Sequence, residues 1–166
     1  MKQQLLKKIE EKSIVVGVVG LGYVGLPLAV EKAKAGFKTI GFDVQDEKVN
    51  LVNEGHNYIG DVVDSDLKEL VENKMLTATT DFSFVKDVDF VAICVPTPLD
   101  AHQQPDISYV KSSTEAISKY LTKGTMVVLE STTYPGTTEE LIKPILEEGS
   151  GLKCGEAVSY THLRAH

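Results

Sequence analysis

The chain is 166 residues long, 42% apolar and 25% charged, with a net charge of −7 and two cysteines. That is the length and balance of one soluble globular domain. The acidic surplus argues against nucleic acid as a partner, two cysteines make no disulfide framework, and no apolar run reaches a membrane span.

Residues 1–12 carry Leu5, Leu6 and Ile9 at helical spacing, which predicts a short amphipathic helix on the domain edge. They lack the apolar core of a signal peptide, so a cytoplasmic location is expected. Residues 14–19 form a β-branched run ending in Gly20-Leu21-Gly22-Tyr23-Val24-Gly25, and a helical pattern follows over 24–35, stopped by Gly36. Residues 38–42 predict a second strand that ends at Asp43. Asp46 is expected to cap a helix through Val49 and Val52, with Gly55 at its end. Residues 56–63 read as a loop, after which Asp64 or Ser65 caps a helix containing Leu67, Leu70 and Val71. Residues 76–79 are a short strand. Residues 88–95 form a near-continuous apolar run, the pattern of a buried parallel strand, and stop at Pro96-Thr97-Pro98. A loop runs through Pro105, then a helix over 107–121. Residues 125–129 are the next buried strand, ending in Glu130-Ser131-Thr132, and a last helix spans 138–148 with a kink at Pro144.

Strands alternate with helices, so the expected fold is α/β: a Rossmann-type, doubly wound, mostly parallel sheet with helices on both faces. Ligands of such sheets lie outside the carboxyl ends of the strands, at the switch point. The strand ends at Gly20-Leu21-Gly22, Pro96-Thr97-Pro98 and Glu130-Ser131-Thr132 should therefore meet in one crevice.

The glycine pattern after a strand and before a helix suits a dinucleotide-binding turn. Gly20 can adopt the tight turn, Gly22 leaves room for a pyrophosphate, and Gly25 lets the helix lie against the strand. Free amides at the helix N-terminus face the anion. Asp43 follows Gly25 at close to the ~20-residue spacing of an acid that accepts hydrogen bonds from the adenosine ribose. A 2′-phosphate would meet its like charge, and no Arg follows nearby, so NAD is expected over NADP. Lys48 reads as a solvated helix residue. Pro96-Thr97-Pro98 ends a strand and can also wall the cofactor cleft, with Thr97 offering a hydroxyl. From spacing alone, Glu130, Ser131 and Thr132 are turn and capping residues; the alternative is that Thr132 positions a water.

Cys94 falls inside an apolar strand and is expected to be an inert core thiol. Cys154 has no activating neighbour, and His56 and His102 read as surface histidines without ligand spacing. Asp61, Asp64 and Asp66 read as a loop plus a helix cap. No metal site is expected.

Five ordered blocks carry a resemblance. They are the segment Gly20 to Ala29, the strand end Gly41-Phe42-Asp43-Val44, Cys94-Val95-Pro96-Thr97-Pro98, Pro105-Asp106-Ile107-Ser108-Tyr109-Val110, and the segment Glu130 to Thr138. Together they resemble the N-terminal NAD-binding domain of the UDP-glucose/GDP-mannose dehydrogenase family. The last block is similar to its bacterial UDP-N-acetylglucosamine 6-dehydrogenase branch. The resemblance implies an NAD-dependent oxidation of a UDP-sugar C6 alcohol to a carboxylate, using two NAD, in polysaccharide biosynthesis. It also implies a homo-oligomer when full length. By the same resemblance Gly20, Gly22 and Gly25, with the backbone of Tyr23 and Val24, hold the pyrophosphate. Asp43 holds the ribose, Pro96 and Thr97 line the cleft, and Thr132 helps to position the hydrolytic water.

The family's nucleophilic cysteine lies in a later domain, so the central and C-terminal catalytic domains are expected to be absent. Residues 1–12 are then an N-terminal helix, 13–156 the NAD-binding domain, and 157–166 a non-native tail. Other readings stay open. A short-chain epimerase or reductase needs Tyr-x-x-x-Lys, which is missing. A stand-alone NAD-binding or regulatory module without catalysis fits the lack of a nucleophile, and a methyltransferase shares the glycine turn.

Overall fold

The structure, a computed structural model, describes residues 2–99 and 103–162. Six strands, β1 (Val15–Val19), β2 (Lys38–Phe42), β3 (Leu76–Thr79), β4 (Phe90–Ile93), β5 (Met126–Leu129) and β6 (Ser159–His162), form one sheet. Its order is β3-β2-β1-β4-β5-β6 and every pairing is parallel. This is the doubly wound order in which the chain reverses between β1 and β4. Val16 stands opposite Thr39 on one side and Phe90 on the other, so the central strand joins two halves of the sequence.

Residues alternate faces along each strand. Val16 and Val18 pack beneath helices α2 (Gly25–Lys34), α3 (Asp46–Asn53) and α4 (Asp64–Glu72), against Leu26, Ala29, Val52 and Leu67. Val91, Ile93, Val127 and Leu129 pack beneath α5 (Ser108–Ser118) and α6 (Lys143–Ser150), against Val110, Ile117 and Leu146. Burying each such leucine is worth about 1.5–3 kcal/mol, so both faces are needed to hold a sheet this size. The N-terminal helix α1 (Lys2–Glu10) leans Leu5 on the first of these clusters. Its Lys8 Nζ pairs with Asp89 Oδ1 at 2.6 Å, and Asp89 Oδ2 accepts the Val15 amide at 3.0 Å.

Several boundaries differ from expectation. Neither Asp46 nor Asp64 nor Ser65 caps a helix. Gln45 and Val63 hold the cap positions without a side-chain bond, and both aspartates lie in the first turn, where their charge favours the helix dipole. β4 is half the length of its apolar run, because its neighbours supply only four paired residues. Residues 82–87 form a 3₁₀ helix that the sequence reading passed over, capped by Asp81, whose Oδ1 accepts the Ser83 amide at 2.8 Å. The last helix is interrupted before Pro144: a π-helical turn spans Thr138–Ile142, and the Lys143 amide bonds the Thr138 carbonyl five residues back. Pro144 then sits in the first turn of α6, where its missing amide costs nothing.

Residues 159–162 fall in the segment expected to be a non-native tail, and in the structure they pair in parallel with β5. Their place is held by backbone pairing to β5 and by Tyr160, whose hydroxyl donates to Glu139 Oε1 at 2.7 Å beneath the Lys143 ammonium.

Candidate functional site

The crevice between the carboxyl ends of β1 and β4 is a cleft of about 510 Å³, within the ~300–1,000 Å³ usual for small-ligand sites. Gly20, Gly22, Tyr23, Val24, Asp43, Pro96, Thr97 and Thr132 all line it. Gly25 does not; it lies buried beneath the turn.

The three glycines divide the work of the turn. Gly20 takes φ +90°, a left-handed conformation that a side chain would strain, and its amide donates to the Phe42 carbonyl at 2.8 Å. A Cβ on Gly25 would lie 1.7 Å from the Gly20 carbonyl oxygen, so α2 starts as close to β1 as backbones permit. Among the described residues, a Cβ on Gly22 would meet no atom within 4 Å, so no packing among them requires glycine there; the space in front of it belongs to the cleft. The amides of Gly22, Tyr23 and Val24 make no hydrogen bond among the described residues, and Tyr23 is 80% exposed. Unpaired amides at the start of a ten-residue helix make an anion site.

Asp43 is only 7% exposed. Its Oδ2 accepts the Leu21 amide at 2.8 Å and its Oδ1 the Gln45 amide at 3.0 Å, so the carboxylate ties the glycine turn to the end of β2. Each oxygen keeps a second lone pair for a ligand hydroxyl. Lys48 is not the solvated helix residue expected: it lines the cleft with Nζ 3.8 Å from Asp43 Oδ2. Lys48 reaches the end of β2 from α3, a relation that helical periodicity alone does not reveal.

The opposite wall is cross-linked. Thr97 Oγ1 donates to the Thr132 carbonyl at 2.7 Å, and Ser131 Oγ donates to the Val95 carbonyl at 2.6 Å. Ser131 therefore binds the loop after β4 to the loop after β5 rather than capping a helix. Tyr58 and Ile59 also line the cleft from the 56–63 loop, and sequence reading missed both. Their signal was an aromatic–aliphatic pair, Tyr58-Ile59, standing inside a segment read as a loop.

Cys94 is buried, and burial pushes its thiol up to about 12, with the Glu130 charge adding to the shift. Cys154 is half-buried and raised by burial and then by Glu147, whose carboxylate accepts its amide at 3.0 Å. His56 is exposed, and His102 lies outside the described residues. Of the acidic trio, Asp66 pairs with Lys34 at 2.9 Å.

Residues 14–162 match the family model described as the UDP-glucose/GDP-mannose dehydrogenase family, NAD binding domain. The chain belongs to this family. As a dehydrogenase-family NAD-binding domain, it takes NAD as its cofactor, and the open cradle at Gly22 with its unpaired amides fits the dinucleotide's pyrophosphate. The chain is 41% identical over 145 residues to the UDP-N-acetyl-D-glucosamine 6-dehydrogenase of Pseudomonas aeruginosa, covering 87% of this chain and 33% of that protein. It is 40% identical over 141 residues to the protein CapL of Staphylococcus aureus, covering 85% and 32% respectively. The crystal structure of the NDP-N-acetyl-D-galactosaminuronic acid dehydrogenase of Methanosarcina mazei superposes with a TM-score of 0.84 at 35% identity, covering 98% of this chain and 37% of that one. The chain thus spans about a third of the length of these relatives. No helix among the described residues is long and apolar enough to cross a membrane.

Proposed function

We propose that the chain is the cofactor-binding part of an NAD-dependent nucleotide-sugar 6-dehydrogenase that oxidises the C6 alcohol of a UDP-sugar, UDP-N-acetylglucosamine or a close relative, to the carboxylate. The observation that carries this reading is the glycine turn facing Pro96, Thr97 and Thr132 across one cleft, in a chain whose relatives include a UDP-N-acetyl-D-glucosamine 6-dehydrogenase. NAD, when bound, supplies the two-electron acceptor, two molecules for each alcohol taken to the acid. The amides of Gly22, Tyr23 and Val24 bind the pyrophosphate. Asp43 accepts from the adenosine ribose while holding the turn through Leu21. Pro96 and Thr97 form the far wall, and Thr132 positions the water that hydrolysis consumes. The whole enzyme works in the cytoplasm as a homo-oligomer, in polysaccharide-precursor synthesis.

Two outcomes test this reading. Asp43→Ala is expected to weaken NAD binding by about 1–3 kcal/mol, the scale of hydrogen bonds lost from a charged acceptor. It should also lower the Tm, because the Leu21 and Gln45 amides lose their acceptor. Calorimetric titration reads the first effect, and equal NAD affinity in variant and parent removes Asp43 from the site.

The second outcome concerns turnover by the 166-residue chain itself. Oxidation to the acid needs a thiol that holds the aldehyde as a covalent adduct. Cys94 is buried with its thiol raised to about 12, and Cys154 is raised as well, so neither supplies a thiolate. NADH absorbance should therefore stay at blank with UDP-N-acetylglucosamine, UDP-glucose or UDP-N-acetylgalactosamine at saturating NAD. Sustained turnover that disappears on mutating Cys94 or Cys154 contradicts the assignment.

A further inference from the structure

Leu21, between the first two glycines, is held on three sides. Its amide donates to Asp43 Oδ2 at 2.8 Å, and its carbonyl accepts from the Tyr58 hydroxyl at 2.7 Å. Its side chain is fully buried over Gly41, where a Cβ would come within 2.8 Å of Leu21 Cδ2. Tyr58 comes from the 56–63 loop, well outside the glycine motif in sequence. Asn57 folds that loop on itself: its Nδ2 donates to the carbonyls of Ile59 and Val62, both at 2.6 Å, and its Oδ1 accepts the Ile59 amide at 2.7 Å. The tyrosine hydroxyl is thus presented from a braced support.

A peptide group is planar, so the direction of the Leu21 carbonyl also sets the direction of the Gly22 amide across the same bond. That amide makes no hydrogen bond among the described residues, and Gly22 lines the cleft. We propose that Tyr58 is a positioning residue for the cofactor's pyrophosphate: by holding the Leu21 carbonyl it fixes the Leu21–Gly22 peptide plane, and so the direction in which the Gly22 N–H is offered to an anion. Asp43 does the same for the preceding peptide plane through the Leu21 amide. The two planes that lead into the anion site are then each pinned by a side chain from a different element. The inference rests on the reading of the cleft as the NAD site. Without the hydroxyl, the plane beside Gly22 has no Cβ on that residue to limit its rotation. Burial raises the pKa of Tyr58, and the Asp43 charge raises it further, so the hydroxyl stays a donor at every neutral pH.

Tyr58→Phe keeps the ring and removes only the donor. The 166-residue parent and variant are titrated with NAD, ADP and adenosine, the last lacking any phosphate. The expected result is that NAD and ADP affinities fall about tenfold, the scale of one hydrogen bond to a charged group, while adenosine affinity is unchanged. The ratio of ADP to adenosine affinity is the deciding quantity. An unfolded fraction scales both apparent affinities by the same factor and cancels from it, so a less stable variant still gives an answer. An unchanged ratio, whether both ligands weaken together or neither does, overturns the positioning role. A parent chain that binds none of the three overturns the cofactor reading and this inference with it, a result distinct from loss of the ratio alone.

Discussion

Gly25→Ala is expected to cost the domain about 3 kcal/mol or more and to abolish NAD binding together with the fold of the turn. The added methyl would sit 1.7 Å from the Gly20 carbonyl oxygen and 2.9 Å from its carbon. These are backbone atoms, so no rotamer change relieves the clash. Gly20 cannot retreat, since its amide bonds Phe42 and Cys94 lies just behind it. The only remedy is to slide α2 off β1, which opens the cluster around Leu26, Ala29 and Val30. Differential scanning calorimetry should show the Tm falling by roughly 6–12 °C for a domain of this size. A variant that melts with the parent shows that α2 has room the structure denies it.

Gly22→Val is expected to do the opposite: leave the Tm within the ~0.5 kcal/mol spread of surface substitutions and weaken NAD binding by at least about a hundredfold, or ~2.8 kcal/mol. Nothing among the described residues lies within 4 Å of a Cβ at this position, and its backbone is outside the left-handed region, so the fold has no reason to resist. The isopropyl group fills the space in front of the unpaired amides and keeps a pyrophosphate from reaching them. Normal NAD binding by a folded Gly22→Val protein would show that the turn is structural only. The two glycines lie three residues apart and look alike in sequence, yet one serves the chain and the other its ligand.

That contrast shows where sequence reading succeeds and where it stops. β2 and β3 are legible to the residue because each is a short run with strand-forming residues, Thr, Ile and Phe in β2 and Leu and Thr in β3, bounded by turn chemistry. The parallel direction of the strands follows from their alternation with helices, since parallel neighbours need crossovers. Gly22, Asp43, Pro96 and Thr97 could be named because each stands at a strand end, and strand ends of a doubly wound sheet share one edge. Tyr58 and Lys48 could not. They reach the cleft from a loop and a helix whose positions depend on packing, and no local pattern encodes a bond from Tyr58 to Leu21. The 3₁₀ helix over 82–87 was hidden for another reason. Its pattern is too short to show a period, and its Phe82 ring meets Phe42, a residue far off in sequence, with centroids 5.6 Å apart and planes tilted by 33°. β6 was invisible because it is held by its neighbour's backbone rather than by apolar side chains of its own.

The place of β1 has a consequence for how the domain comes into being. Its first partner, β2, follows almost at once, but its second, β4, is residues 90–93. A chain emerging from the ribosome can close β1 against β2 early, yet the other edge of this buried strand stays unpaired until the whole α2 to β4 stretch has been made. Such long-range parallel pairing is slow to form and leaves an open strand edge in the meantime. The glycine turn therefore cannot be walled in before β4 has been made, since Cys94 and Val95 behind Gly20 follow it in the chain.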